Sequence, residues 1–238
     1  MKKTGLKTIT LLILGGMFVV SQSPANAQLG GLLGKKKSAD TGAATIDKDT
    51  FAKSADQAAG NLLAARIAFL DAKSKMMEAL GIKSDSIAKA REALEAKTGS
   101  ATKAGDAVDS LKDASKKTEG TDEAMNKAME NSKELSAESK AKFAEGSGKF
   151  ILGILLEKAQ IEAIQKLVEQ GQSLVQSAGP LEKAGVLSVV KPVTTMSTMV
   201  PGDVKEGMST LSKIIKFTQS QKIELPKNAT DKLGGLNL

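Results

Sequence analysis

Apolar residues recur every three or four positions along most of this chain, and no convincing run of strict apolar–polar alternation is found. A period near 3.6 is typical of amphipathic helices, whereas strands alternate with a period of two. The pattern therefore predicts an all-α fold, which we expect to be an elongated antiparallel, coiled-coil-like helical bundle with flexible termini. We expect a signal peptide over residues 1–27 and a flexible leader over residues 28–46. The bundle follows over residues 47–222, and a C-terminal tail over residues 223–238.

The first predicted helix begins near Asp47 or Asp49, because acidic residues suit a helix N-terminus. Gly81 suits the cap at the other end of this helix. Ser84 or Ser86 can then start a second helix. Its apolar side is a thin heptad repeat that is mostly alanine and is interrupted at Lys97, with its main positions at Ile87, Leu94, Ala101 and Val108.

Residues 83–149 contain few large apolar side chains. A third helical stripe within them runs from Met125 to Phe143 and places two serines, Ser132 and Ser139, at core-like positions. We expect this to be the least stably packed part of the bundle. One hypothesis is that it is ordered only in contact with a partner.

Residues 150–156 are apolar on every face, and the apolar stripe continues from them to Gly179 and Pro180. A helix that is apolar all round is normally the most buried one. The alternative is insertion into a membrane, but a spanning helix needs about 20 apolar residues. We favour the core and keep the segment as a candidate contact with a membrane or a partner, through Phe150, Ile151, Leu152, Ile154, Leu155 and Leu156.

Residues 186–200 are rich in Val, Thr and Met, with Pro192 and Pro201 as breaks. Because proline interrupts helical hydrogen bonding, this composition predicts a broken short helix or an extended crossover. A last helix is expected to open at Gly202 and to end before Pro226.

The N-terminus places lysines before an apolar stretch and the small-x-small sequence Ala25-Asn26-Ala27. This layout predicts a Sec-type signal peptide of the Gram-negative kind, cleaved after Ala27, and hence a periplasmic or secreted protein. The leader that follows is Gly- and Leu-rich and then basic. It is predicted to be a flexible linker or, as a second hypothesis, a peripheral contact with an anionic membrane through Leu32, Leu33, Lys35, Lys36 and Lys37.

The chain contains no His, Cys, Trp or Tyr. Without His and Cys, zinc, haem and di-metal bundle sites lose their usual ligands, and we expect no metal and no cofactor. Three of the 34 basic residues lie in the signal peptide, which leaves 31 against 27 acidic residues and a net charge of +4. Because the charges alternate in sign and arginine is scarce, we expect no nucleic-acid binding.

Ser-x-x-Lys pairs, among them Ser86/Lys89, Ser100/Lys103 and Ser139/Lys142, match the spacing of a serine nucleophile and a lysine base. A few such pairs are expected by chance in a chain so rich in both residues. A nucleophilic serine or lysine also needs a desolvated pocket, whereas these pairs lie in the most polar stretch. We therefore predict a protein that is not an enzyme.

The sequence favours an exported helical protein that acts through protein–protein contacts in the periplasm or cell envelope, as an assembly, adaptor or chaperone-like component. Two alternatives stay open. One is a membrane-active or lipid-binding protein of the pore-forming kind, and the other is a subunit associated with a secretion apparatus or a pilus.

Overall fold

The computed structural model describes residues 46–98 and 102–236 of the chain. Within them the chain forms seven α-helices and no strand, so the predicted all-α bundle is confirmed. A single 3₁₀ turn, Gly234–Leu236, follows the last of these helices. The helices are α1 (Lys48–Ala79), α2 (Asp85–Glu95), α3 (Ala104–Lys117), α4 (Thr121–Asn131), α5 (Ala137–Ser177), α6 (Lys183–Ser220) and α7 (Lys227–Leu233).

Helix α1 begins and ends where the sequence predicts. Asp47 is its N-cap, and Asp47 Oδ1 accepts hydrogen bonds from the backbone N–H groups of Asp49 and Thr50 at 3.0 and 2.9 Å. These N–H groups have no partner inside the helix, so the cap stabilises the first turn by about 1 kcal/mol. At the other end Gly81 follows the C-cap Leu80 with a φ of +74°, a conformation that favours glycine.

Helices α1 and α5 run antiparallel and form the centre of the bundle. Three glycines of α5, Gly146, Gly153 and Gly171, return to the same side of the helix, and that side faces α1. A Cβ atom on Gly146 would lie 2.7 Å from Met76 Cγ, and one on Gly153 would lie 3.3 Å from the ring of Phe69. The missing side chains therefore let the two helices pack closely.

Helix α6 is one continuous helix of 38 residues with both Pro192 and Pro201 inside it, so the expected break over residues 186–200 is wrong. Each proline removes one backbone hydrogen bond, which is unfavourable in a helix interior. Packing outweighs this cost, because α6 buries one side along almost its whole length. The buried side includes Val186, Val190, Val193, Met196, Val200, Val204, Leu211 and Ile214.

The single helix expected after Ser84 is divided into α2 and α3, which pack against each other and against α1. Ser84 stands at the N-cap position of α2, one of the two serines expected there, but its side chain makes no capping hydrogen bond. Ile87 and Leu94 of α2 and Val108 of α3 are buried, but they lie on separate helices, and Ala101 is outside the described residues. Glycines in and beside the connection disfavour one continuous helix.

Helix α3 takes its N-terminal cap from another helix. The backbone N–H of Ala104 donates to Asp56 Oδ1 of α1 at 2.7 Å, and Lys103 Nζ lies 3.2 Å from Asp56 Oδ2. Lys103 stands at the N-cap position and makes no capping bond with its own side chain. Packing against α1 thus completes the first turn of α3.

The stripe predicted from Met125 to Phe143 is shared between α4 and α5. Met125 and Met129 on α4 and Phe143 on α5 are buried, and Leu135 between these helices is half-buried. Ser136 is the N-cap of α5, and the backbone N–H of Ser139 donates to Ser136 Oγ at 3.1 Å. Ser139 therefore belongs to the first turn of a new helix and not to the interior of a continuous one.

The segment predicted as a C-terminal tail contains helix α7. Ala229 of α7 and Leu236 of the following turn are buried. A Cβ on Gly148 of α5 would lie 3.1 Å from Pro226 Cγ and 3.7 Å from Ala229 Cβ, so α7 packs directly on α5. Residues 226–236 therefore take part in the bundle.

Candidate functional site

Residues 150–156, the segment that is apolar on every face, lie in the middle of α5. Its members Phe150, Ile151 and Ile154 are buried in the core. The rings of Phe150 and Phe69 meet edge-on, with centroids 5.0 Å apart, which is a favourable arrangement for two aromatic rings. No helix within residues 46–98 or 102–236 has the length and apolar content that crossing a bilayer requires. The candidate residues of the leader fall outside the described part of the chain: Leu32, Leu33, Lys35, Lys36 and Lys37.

The other three candidates lie on the outer side of α5. Leu152 and Leu155 are half-buried, and Leu156 has an exposed fraction of 51%. One exposed leucine is ordinary on a protein surface, but an exposed leucine with apolar neighbours can mark a contact site. The surroundings of Leu156 therefore decide its meaning.

Two polar contacts between α1 and α5 mark the ends of the surface around Leu156. Asn61 Nδ2 donates to Gln160 Oε1 at 3.3 Å, and Lys149 Nζ donates to Asp71 Oδ2 at 2.5 Å. Ten positions of α1 separate Asn61 from Asp71, so the surface is about 15 Å long. Helical spacing places four uncharged side chains between the two contacts, here called the α1–α5 face: Ala64, Ala68, Leu152 and Leu156.

A group of buried and partly buried charged side chains joins α1, α5 and α6. Arg66 of α1 donates a hydrogen bond to Asp203 of α6. Glu157 of α5 has only 3% of its side chain exposed, and its Oε1 lies 3.9 Å from Arg66 Nε, too far for a hydrogen bond. Glu157 Oε2 has no hydrogen-bond partner among the described residues. One guanidinium thus faces two carboxylates, so the three side chains carry a net negative charge when both acids are ionised.

Burial controls the protonation of these two acids. It raises the pKa of Glu157 to about 7, against the opposing attraction of Arg66. Burial also raises the pKa of Asp203, and Arg66 again acts in the opposite direction. A carboxylate that loses its hydration is harder to ionise, which is the dominant effect for both groups. Glu157 therefore gains or loses its proton near neutral pH, a property common among functional residues.

A cavity of about 220 Å³ opens beside Arg66, between α1, α5, α6 and the connection from α3 to α4. Phe69 and Phe150 contribute to its wall, and Lys73 Nζ lies 2.8 Å from the carboxylate of Asp122. No group of three or more acidic side chains in the described part of the chain is arranged to hold a metal ion. Six charged residues line the cavity: Arg66, Lys73, Glu119, Asp122, Asp203 and Glu206.

The Ser-x-x-Lys pairs do not form a catalytic pair in the described part of the chain. Lys142 Nζ lies 2.7 Å from Glu78 Oε1, and this contact raises the pKa of Lys142, so the amine stays protonated. A general base must be unprotonated to accept a proton. Ser86 and Lys89 are both exposed, and Ser100 lies outside the described residues.

The chain matches no protein-family model, no curated protein sequence and no solved structure.

Sequence reasoning missed the buried charges, although the sequence carries a signal for them. Arg66 is one of two arginines in the chain and stands in the apolar stripe of α1, between Ala65 and Ile67. Glu157 directly follows Leu156 at the end of the all-apolar segment. A charged residue where the helical period expects an apolar one indicates a buried, paired charge.

Proposed function

We propose that the mature chain is an exported, non-enzymatic helical protein that binds a protein partner in the periplasm or cell envelope, as an assembly, adaptor or chaperone-like component. Export is supported by the order of segments at the N-terminus, where basic residues precede an apolar stretch and a small-x-small sequence. Cleavage is proposed after Ala27. The α1–α5 face supplies the contact.

The observation that carries this proposal is the exposure of Leu156 beside small residues. Ala64 of α1 is exposed and Ala68 is half-buried, so a partner can come close to α1 and cover the leucine from the side. Polar contacts at both ends of the face surround an apolar centre, as in many protein interfaces. The length of about 15 Å equals about three turns of helix, so the α1–α5 face is long enough for a short helix of the partner.

The non-enzymatic part of the proposal rests on chemistry. The chain has no His and no Cys, and Lys142, the lysine of one Ser-x-x-Lys pair, is held by Glu78 in its protonated form. Activated nucleophiles need an adjacent base or a strongly lowered pKa. Contact with another protein needs neither.

The test is photo-crosslinking with a matched control. A photoreactive amino acid replaces Leu156 in one variant and Leu187 in another, since Leu187 of α6 has a similar exposed fraction of 48% but lies on another helix. We expect a discrete protein adduct in the envelope fraction from position 156 and none from position 187. Leu156→Glu should also release the native complex, while Leu187→Glu keeps it.

Three results would count against the proposal. The protein could remain in the cytoplasm with residues 1–27 uncleaved. Positions 156 and 187 could give the same adducts, which would indicate chance collisions. An adduct with lipid instead of protein at position 156 would favour the membrane-active alternative.

A further inference from the structure

Arg66 of α1 is hydrogen-bonded to one neighbouring helix and not to the other. It donates a hydrogen bond to Asp203, which ties α1 to α6. Its Nε has no hydrogen-bond partner within the described residues, and Glu157 Oε1 of α5 lies 3.9 Å from it. Glu157 Oε2 has no partner there either. An unpaired donor and an unpaired acid thus face each other across a gap that is about 1 Å longer than a hydrogen bond.

The charged groups that act on Glu157 come from two neighbouring helices. Helix α1 presents Arg66 and Lys73, which attract the ionised form, and α6 presents Asp203, which repels it. Asp122 of α4 already holds Lys73 Nζ at 2.8 Å. When Glu157 ionises, the unpaired Nε of Arg66 is therefore the donor placed to meet the new charge.

The two acids beside Arg66 differ in their access to water. The side chain of Asp203 is 21% exposed and borders the cavity beside Arg66, whereas that of Glu157 is 3% exposed. Water can therefore hydrogen-bond to an ionised Asp203, but an ionised Glu157 depends on the protein for its hydrogen bonds. A buried carboxylate without a partner costs far more than a neutral carboxyl group does. The interactions of Arg66 therefore depend on the protonation of Glu157.

We propose that Arg66 and Glu157 form a pH-sensitive switch inside the bundle. While Glu157 is protonated, Arg66 joins α1 to α6 alone. When Glu157 ionises, Arg66 Nε closes the gap and donates to its carboxylate, so that one guanidinium joins α1, α5 and α6. Charge-assisted hydrogen bonds of this kind are shorter and stronger than neutral ones. Burial raises the pKa of Glu157 to about 7, so the change falls near neutral pH. The new bond offsets part of the cost of the buried charge. The switch does not depend on the proposed function.

The test is NMR spectroscopy of the mature protein, residues 28–238, labelled with ¹⁵N. Because the chain has two arginines, Arg66 and Arg91, their Nε–H groups give two signals, and Arg91→Lys identifies the signal of Arg66. We expect this signal to shift with a midpoint near pH 7. At pH 8 the Arg66 Nε–H should exchange with water about tenfold or more slowly than in Glu157→Gln. At pH 5.5 the two proteins should exchange at the same rate.

Two variants and one internal control complete the test. Glu157→Gln stands in for the protonated acid, and Glu157→Leu removes the acceptor as well, so both should keep fast exchange at pH 8. Circular dichroism checks that both stay helical. Arg91 is the control, since its partner Asp71 stays ionised over this range: burial opposes ionisation, but the hydrogen bond from Lys149 lowers the pKa of Asp71.

Three results would overturn the proposal. The Arg66 signal could stay unchanged between pH 5.5 and 8 in the unaltered protein. Its shift or its slow exchange at pH 8 could persist in Glu157→Gln. The Arg91 signal could change in the same way, which would assign the effect to the solvent and not to Glu157.

Discussion

Arg66 Nε lies 3.9 Å from Glu157 Oε1, while the same guanidinium donates a hydrogen bond to Asp203. Arg66 thus hydrogen-bonds to only one of the two acids, and neither its Nε nor Glu157 Oε2 has a hydrogen-bond partner within the described residues. An ionised, incompletely paired carboxylate inside a protein is costly. The protonation of Glu157 is therefore linked to the stability of the bundle.

The unfolding free energy should fall as the pH rises from about 4.5 to about 7. The folded protein holds the Glu157 proton up to a pKa of about 7, whereas the unfolded chain releases it near the usual value of 4.5. Between these values the folded state binds more protons, so raising the pH destabilises it, by on the order of 3 kcal/mol in total. Asp203, whose pKa is also raised, acts in the same direction, and Arg66 and Lys73 oppose both shifts. Urea denaturation at a series of pH values measures the slope.

Glu157→Gln removes this titration and should abolish most of the pH dependence of the unfolding free energy. At pH 8 the variant should therefore be more stable than the unaltered chain. Glu162→Gln, on the exposed side of the same helix, should keep the full slope. A slope that persists in Glu157→Gln would assign the pH dependence to another group.

Gly146→Ala should destabilise the bundle by about 1–3 kcal/mol. The added Cβ would lie 2.7 Å from Met76 Cγ and 2.9 Å from the carbonyl oxygen of Ala72, and the backbone oxygen has little freedom to move. Gly60→Ala is the control, since nothing lies within 4 Å of its Cβ and the helical preference of alanine should stabilise α1 by up to about 1 kcal/mol. Thermal melting of both variants is the measurement, and equal shifts would contradict the close packing of α1 on α5.

Two positions of the apolar segment distinguish core from surface. Ile154→Asp places a carboxylate at a fully buried position and should cost several kcal/mol or prevent accumulation. Leu156→Asp, two residues later at a half-exposed position, should change stability little. Melting temperatures and a liposome leakage assay are measured together. Membrane insertion would be favoured if the unaltered protein caused liposome leakage and the Ile154→Asp variant folded normally but caused none.

Pro201→Ala should raise the melting temperature. Pro201 is exposed in the interior of α6, so alanine restores a backbone hydrogen bond without losing core contacts, a gain on the order of 1–3 kcal/mol. Pro180→Ala is the control, because Pro180 lies in the turn before α6 and its replacement restores no helical bond. There we expect no gain, since proline in a turn restricts the unfolded chain. A lowered melting temperature for Pro201→Ala would show that the proline is needed for the shape of α6.

The features that could be predicted from sequence are the local ones. Asp47 stands at a helix start because its side chain accepts hydrogen bonds from backbone N–H groups two and three residues later. Gly81 stands at a helix end because it adopts the positive φ that ends the helix. The continuity of α6 was not predictable in this way. Its two prolines act locally against the helix, and only the burial of its apolar side against the other helices outweighs them.

For the candidate sites too, the local features could be predicted from sequence and the long-range contacts could not. The apolar character of residues 150–156 was visible in sequence, but the exposure of Leu156 beside Ala64 depends on how α1 packs on α5. Arg66 and Glu157 are distant in sequence and meet only when those helices pair. Local patterns show that a charged residue is out of place, whereas the fold shows which charge it faces.

The cap that Asp56 provides for Ala104 has a consequence for the order of folding. A helix with its own capping residue can form its first turn independently. The first turn of α3 instead needs Asp56 of α1, which lies 48 residues before Ala104 in the sequence, so α1 must already be folded. Closing that loop costs entropy before the hydrogen bond is gained. Helix α3 is therefore expected to form late, on a surface prepared by α1, and Asp56→Ala should speed unfolding more than it slows refolding.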